Sequence, residues 1–143
     1  MIIMTFKFLE KIAIADIAFE VTAPTLNKLF EESAAAASDI MVNPKTVKLG
    51  MKKTIKLSAD SLENLLFDFL GELIYLKDTK GLLFGRFIVK VDEKKKALTA
   101  IMCGEQIDRK KHDLRNDLKA VTMHMFVLEK REKGWYARIV VDI

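Results

Sequence analysis

The sequence predicts an α+β fold in which a mostly antiparallel sheet wraps around one buried helix, with a second helix beside it. Strand-like segments with alternating or β-branched apolar residues occur near both ends of the chain, and two amphipathic helical segments lie between them. The helices do not alternate regularly with strands, which argues against a parallel α/β sheet. No Pro- or Gly-rich linker interrupts the chain, so we expect residues 1–143 to form a single domain.

Two strands and a helix are predicted at the beginning of the chain. Apolar residues alternate over residues 2–10 and 17–23, as in half-buried strands. Thr25 supplies a hydroxyl cap to a helix whose apolar residues recur at helical spacing as far as Met41. The pair Asn43-Pro44 should end this helix, because the residue before proline disfavours the α conformation.

The predicted core helix follows a third strand. Alternating residues predict that strand over residues 47–57, and Asp60 with Glu63 three residues later resembles a capping box. The helix begins at Leu62 and ends at residues 78–81. Its apolar residues cover so wide an arc that we expect the helix to be nearly enclosed.

Four further strands complete the chain as two hairpins, separated by a polar loop over residues 104–116. The basic run Lys94–Lys96 lies at the tip of the first hairpin. We interpret it as a solvated turn, because no aromatic residue is interleaved to stack on bases. The strands are predicted over residues 82–91, 97–103, 118–130 and 135–143.

Composition restricts the class of protein. The chain is 50% hydrophobic and has one cysteine, Cys103, which we expect to be a buried small hydrophobe. A single cysteine suits a reducing compartment, and no segment resembles a signal peptide or a membrane span, so we predict a cytoplasmic protein. The net charge of +4 and the pI of 9.1 are compatible with a polyanionic partner without requiring one.

Catalytic machinery is sparse in this sequence. His112 and His124 have no cysteine partner at zinc spacing, and no glycine-rich phosphate loop occurs. His124 lies among apolar residues and is expected to be a core or edge histidine, whereas the charged neighbours of His112 predict a surface position. The residues by themselves therefore predict no active site.

Two places in the second half of the chain suggest a charged site. The segment from Trp135 to Ile143 has the composition of a buried strand, which would hold Asp142 close to the terminal carboxylate of Ile143. Adjacent carboxylates repel each other and favour a compensating cation, although a solvated Asp142 at a strand end is the commoner case and stays open. Lys119 opens an apolar strand, either as a half-buried cation or as an edge-blocking lysine.

Six stretches of the chain carry a family pattern: Phe8-Leu9-Glu10, Ala15-Asp16-Ile17, Glu72 to Phe84, Gly104-Glu105, Lys119 to His124 and Val140 to Ile143. In order from about Phe6 to the last residue, they resemble the archease family. The resemblance implies an archease-like fold and a non-catalytic partner of the RtcB-type tRNA-splicing RNA ligase. Such a partner promotes guanylylation of the ligase and lets it turn over repeatedly, and it acts on tRNA indirectly, through the ligase.

The same resemblance implies a site. The metal ligands of the family fall on Asp16, Asp142 and the terminal residue Ile143, with calcium as the implied cation. The lysine required for activation falls on Lys119. Carboxylate oxygens are the ligands that hard divalent cations prefer, which agrees with this assignment.

Two departures from the family pattern are visible. Family members usually place His-Thr where this chain has Lys11–Ile14, which is two residues longer and lacks the histidine. An insertion of two residues preserves the alternation of a strand, so Asp16 should still face the same side. The second departure is Met123, where an aromatic residue is commoner.

Two other classes of function stay open. An RNA-binding domain acting directly on tRNA would explain the pI of 9.1, although the lysines are spread along the sequence. A hydrolase using Asp16 and Asp142 as an acid/base pair would lack any recognisable motif for positioning a substrate.

Overall fold

A computed structural model describes residues 5–9 and 16–143 of the protein. The predicted α+β class is confirmed, with two α-helices and antiparallel strands throughout this part of the chain. Neither of these two helices is long and apolar enough to cross a membrane. The elements are β1 (Thr5–Phe8), β2 (Asp16–Ala23), α1 (Leu26–Met41), a 3₁₀ turn (Pro44–Thr46), β3 (Met51–Ser58), α2 (Leu62–Lys80), β4 (Leu82–Asp92), β5 (Ala97–Gln106), β6 (Ala120–Arg131) and β7 (Gly134–Asp142).

The strands form two sheets, and residues of both sheets and both helices share one hydrophobic core. The four-stranded sheet has the order β1-β2-β7-β6, and the three-stranded sheet has the order β3-β5-β4. Helix α1 packs on β2 and β4, and α2 packs on strands of both sheets. Phe19, Phe30 and Phe69 are fully buried where these layers meet. The apolar face of α2 is buried, but the helix is less enclosed than predicted, because its other face, which carries Asp68 and Tyr75, is exposed.

The ends of the helices follow local side-chain chemistry. The hydroxyl of Thr25 accepts a hydrogen bond from the N–H of Lys28 at 3.2 Å, which confirms the predicted cap of α1. The predicted capping box of α2 is wrong by one residue: Ser61, not Asp60, caps the helix, with its Oγ 3.1 Å from the N atom of Asn64. Gly81 ends α2 in the left-handed conformation, at φ 63°.

The third strand begins later than predicted. It starts at Met51 and not at residue 47, because Pro44 opens a 3₁₀ turn that is capped by the side chain of Asn43. Val47 is buried with Val42 and Leu83 in a small second cluster of apolar side chains. The N–H of residue 48 then donates to a side chain, the carboxylate of Glu105, at 2.6 Å, so this backbone is held without a strand partner.

His112 is buried, contrary to the surface position predicted from its charged neighbours. Its Nδ1 accepts a hydrogen bond from the N–H of Asp108 at 2.8 Å, so the proton of the neutral ring lies on Nε2. That Nε2 lies 2.8 Å from the carboxylate of Glu105, which also contacts the ammonium of Lys111 at 2.5 Å. Glu105 and His112 thereby fix the loop between β5 and β6.

These contacts make Glu105 a source of pH-dependent stability. Hydrogen bonds from Lys111, from the backbone of Lys48 and from His112 lower the pKa of Glu105 from its usual 4.5 to about 2. Because the folded pKa is the lower one, the stabilisation is complete above pH 4.5 and disappears as the pH falls towards 2. We expect Glu105→Gln to lose this part of the pH dependence, measured as urea midpoints between pH 5 and pH 2.5.

Glu93→Gln is the matched control, because Glu93 lies exposed in the turn between β4 and β5. It should follow the parent protein at every pH. Equal pH dependence in Glu105→Gln and the parent would show that the Glu105 contacts do not stabilise the folded state.

Other predicted positions have mixed outcomes. Lys94–Lys96 form the exposed turn of the β4–β5 hairpin, as predicted. Cys103 is only partly buried, because it lies on the face of β5 that points away from the core. His124 is exposed on β6, which is an edge strand of the four-stranded sheet.

Candidate metal centre

Asp16 and Asp142 are directly opposite each other in the four-stranded sheet. Asp16 is the first residue of β2 and Asp142 is the last residue of β7, and the antiparallel register pairs them. Side chains of such partners lie on one face of a sheet, with Cβ atoms about 4.5–5.5 Å apart. Both side chains are partly buried. Strand pairing therefore brings together two carboxylates from nearly opposite ends of the sequence.

Lys119 reaches the same end of the sheet from the other neighbour of β7. Ala120 of β6 pairs with Asp142, and the N–H of Lys119 donates to the carbonyl oxygen of Asp142 at 2.9 Å. The Lys119 side chain is exposed, so of the two alternatives that the sequence left open, the half-buried cation is wrong. The difference arises because Lys119 precedes the first residue of the strand. The predicted residues Asp16, Lys119 and Asp142 thus meet at one site.

The negative charges of Asp16 and Asp142 repel each other at this site. A hydrogen bond shared with Asp16 raises the pKa of Asp142, and burial and the charge of Asp16 act in the same direction. The positive charge of Lys119 opposes this shift of the pKa. The site is therefore short of positive charge, and a shared proton or a bound cation would relieve the repulsion between the carboxylates.

The donor set limits which cation could bind. Within residues 5–9 and 16–143, no three His, Cys, Asp or Glu side chains gather as a metal cluster. Asp16 and Asp142 would therefore need a further oxygen, which the carboxylate of Ile143 or water could supply. Ile143 follows Asp142 directly, and its side chain packs against the core. A site with only oxygen ligands, two of them from carboxylates whose charge is not balanced, fits calcium or magnesium. It does not suit a structural zinc, which prefers cysteine and histidine ligands.

Lys77 holds the residues that precede Lys119 in place, a role that the sequence analysis did not predict. Its ammonium donates to the carbonyl of Leu118 at 2.8 Å and to the carboxylate of Asp117 at 2.6 Å. The side chain is only 11% exposed, and its hydrogen bond lowers the pKa of Asp117. Lys77 thereby ties the last turn of α2 to the residues that precede Lys119. The sequence signal was a cation interrupting the apolar pattern of the core helix.

The two departures from the family pattern have different outcomes. The insertion at Lys11–Ile14 lies outside the described residues. Met123 lies in a large bulge of β6, where the pairing with β7 shifts between Thr122 and Val127. The bulge places Met125 at φ 56°, with its carbonyl accepting a hydrogen bond from Arg138 at 2.8 Å, and leaves Met123 53% exposed. No periodicity in the sequence signalled this irregularity.

Comparison with known sequences finds relatives over most of the chain. The model of the Archease protein family (MTH1598/TM1083) matches residues 6–143. Protein archease from Pyrococcus furiosus is 38% identical over 132 residues, which are 90% of this chain and 93% of that protein. Protein archease from Methanothermobacter thermautotrophicus is 32% identical over 131 residues, with the same two shares.

Two solved structures have the same fold. The solution structure of Methanobacterium thermoautotrophicum protein 1598 is 31% identical, with a TM-score of 0.83, and the match covers 96% of this chain and 98% of that one. A crystal structure of an archease from Thermotoga maritima, named there as a possible chaperone, has a TM-score of 0.60 at 21% identity and covers 92% and 93%. At this identity the second likeness supports the fold alone. The match of the family model over residues 6–143, together with these relatives, shows that this chain belongs to the archease family.

Proposed function

We propose that this protein is a non-catalytic activator of an RtcB-type tRNA-splicing RNA ligase, promoting guanylylation of the ligase and its repeated turnover. The observation that carries the proposal is the meeting of Asp16, Asp142 and Lys119 at one end of the four-stranded sheet. These are the three side chains at which the resemblance places the cation and the activating lysine. Membership of the archease family supports the same assignment.

The chemistry of the site suits assistance to a partner better than catalysis. The site has two carboxylates and one exposed ammonium, and neither histidine of the chain belongs to it. His112 is already engaged by Glu105 and Asp108, and His124 lies in the β6 bulge. Among residues 5–9 and 16–143, the site therefore has no evident nucleophile with its base.

A divalent cation, which we propose to be calcium, would be held by Asp16, Asp142 and the carboxylate of Ile143. When bound, it would neutralise the carboxylates and attract anionic groups of a partner. Lys119 would present its ammonium to a phosphate or carboxylate of the ligase, since its side chain is exposed and its backbone is fixed to Asp142. Positioning of this kind accelerates a step that the partner itself performs.

The proposal is tested by assaying the purified chain alone and with the ligase. Alone, the chain should neither join RNA ends nor hydrolyse GTP. At well below equimolar amounts it should raise the number of turnovers that the ligase completes. RNA joining or GTP hydrolysis by the chain alone, persisting in Asp142→Ala, would identify it as an enzyme and refute the proposal.

The cation assignment predicts that Asp16→Ala will weaken calcium binding at least about tenfold, because one of the three proposed carboxylate ligands is lost. A short extension after Ile143 should weaken binding as well, since it converts the carboxylate into a neutral amide. Isothermal titration calorimetry with calcium alone measures both effects. Glu93→Ala, which removes an exposed carboxylate elsewhere, is the control and should bind like the parent.

Two results would contradict this assignment. Unchanged calcium affinity in Asp16→Ala would exclude that side chain as a ligand. Unchanged affinity in the extended chain would exclude the Ile143 carboxylate.

A further inference from the structure

The three-stranded sheet has one face turned away from the core, which we call the outer face. The register sets its residues in four rows across the strands. The opposite face carries Phe87, Val89, Leu98, Ala100 and Met102, all of which are buried in the core. The rows of the outer face are Arg86-Cys103-Lys52, Ile88-Ile101-Thr54, Lys90-Thr99-Lys56 and Asp92-Ala97-Ser58, each read from β4 through β5 to β3.

Four cations lie in the first and third rows of this outer face. All four side chains are exposed, and none of them forms an ion pair with any residue in the described part of the chain. The first three rows contain no acidic residue, and the fourth carries the exposed Asp92 beside Lys90. Lysines that are scattered along the sequence are thus gathered by strand pairing into one positive surface. The four are Lys52, Lys56, Arg86 and Lys90.

The shape of the outer face suits an extended anionic ridge. Four residues along a strand span about 13 Å, and two strand spacings span about 9–10 Å, so the cations flank a short central row. That row consists of Ile88, Ile101 and Thr54, whose side chains are shorter than those of Lys and Arg. It lies between two pairs of longer, cationic side chains.

Protection of sheet edges does not account for all four cations. Lysines on an edge strand discourage pairing with another chain, and β3 is an edge strand. On the other edge, α1 already covers the backbone of β4. The side chains of Glu31 and Asn27 accept the N–H groups of Val89 and Val91, each at 2.8 Å. Arg86 and Lys90 are therefore not needed to block that edge.

The composition of the outer face favours a phosphate backbone over a protein or a single strand. Protein interfaces are depleted in lysine and enriched in aromatic residues, whereas three of these four cations are lysine and the face has no aromatic residue. Without an aromatic platform the face cannot stack unpaired bases. Lysines without base contacts are typical of binding that depends on charge and not on sequence.

We propose that the outer face binds the sugar–phosphate backbone of double-stranded RNA without reading its bases. The choice of RNA over other polyanions rests on the proposed function, because a ligase that seals tRNA would bring an RNA duplex beside this protein. The surface is separate from the Asp16–Asp142 pair, which lies in the other sheet.

The test is a fluorescence anisotropy titration of a short RNA duplex with the full chain alone, at 50, 100 and 200 mM salt. Four phosphate contacts predict a slope of about −3.6 in log affinity against log salt, a loss of about 10²-fold across this range. The variant Lys52→Gln, Lys56→Gln, Arg86→Gln, Lys90→Gln should lose most of the affinity and flatten the slope by about 3. The pair Lys56→Gln, Lys90→Gln should lose about half of the slope.

A control variant removes the same charge from exposed lysines that form no ion pair among the described residues. For this variant, the slope of log affinity against log salt should stay within about one of the parent's slope. Changing the base sequence of the duplex should leave the affinity of the parent unchanged. The control carries Lys45→Gln, Lys80→Gln, Lys110→Gln and Lys133→Gln.

Three results would overturn the proposal. Equal losses in the outer-face variant and the control would show that only net charge matters. Tighter binding of a polyglutamate peptide than of the RNA duplex would indicate an acidic protein as the partner. Aggregation of the outer-face variant with unchanged RNA affinity would show that the cations protect the edge. The ligase is absent from this experiment, so its failure would leave the proposed activation of the ligase standing.

Discussion

Replacement of Lys119 by alanine should abolish stimulation of the ligase and leave the fold intact. The side chain is exposed, so its removal creates no cavity, and the hydrogen bond to the carbonyl of Asp142 comes from the backbone N–H, which alanine retains. We expect Lys119→Ala to melt within a few degrees of the parent. Multiple-turnover ligation should fall to the level of the ligase alone.

Two variants make this result specific to Lys119. Lys133→Ala removes an exposed lysine from the turn between β6 and β7 and should stimulate like the parent. Lys119→Arg retains the charge and should recover part of the stimulation, depending on how closely the partner fits an ammonium. Full stimulation by Lys119→Ala would exclude this residue from activation. An unfolded Lys119→Ala would instead assign it to the fold.

Replacement of Gly104 by alanine should have the largest effect on stability. Gly104 pairs with Phe84 at the point where the register of β4 and β5 shifts. A Cβ on Gly104 would overlap the carbonyl oxygen of Leu83 and approach the Cα of Phe84 to 2.7 Å, and these backbone atoms cannot rotate away. We expect Gly104→Ala to cost about 3 kcal/mol or more, which lowers the melting temperature by about 10 °C.

Gly71 provides the matched control. It lies in the middle of α2, and nothing lies within 4 Å of the position that its Cβ would take. Gly71→Ala should stabilise the protein by about 0.5–1 kcal/mol, because alanine loses less backbone entropy in a helix. A melting temperature of Gly104→Ala within about 2 °C of the parent would show that β4 and β5 can move apart enough to accommodate a Cβ at little cost in stability.

Local patterns predicted the elements of this fold because each pattern is contained within one segment. The cap of α1, the periodicity of both helices and the two C-terminal hairpins were visible in the sequence, whereas the cap of α2 was placed one residue too early. Other errors arose where contacts made only in the folded chain decided the outcome. His112 is buried because Glu105 and Asp108 of the same loop region bind its ring. Val47 packs in a small apolar cluster, and the N–H of Lys48 binds the distant Glu105.

Local sequence patterns predict even less of the candidate site. No spacing rule places Asp16 opposite Asp142, because the register of β2 and β7 depends on the packing of the whole sheet. The resemblance to the archease family predicted that these residues share a site. The raised pKa of Asp142 and the support that Lys77 gives to the Lys119 segment emerged only from the three-dimensional arrangement.

The most direct test of the proposed function is a time course of guanylylated ligase with this protein at well below equimolar amounts. The parent chain should increase both the rate of guanylylation and the number of ligation cycles. Asp142→Ala should do neither, while the single-turnover sealing step of pre-guanylylated ligase stays unchanged. Guanylylation that proceeds equally fast with the parent, with Asp142→Ala and with no added protein would contradict the account.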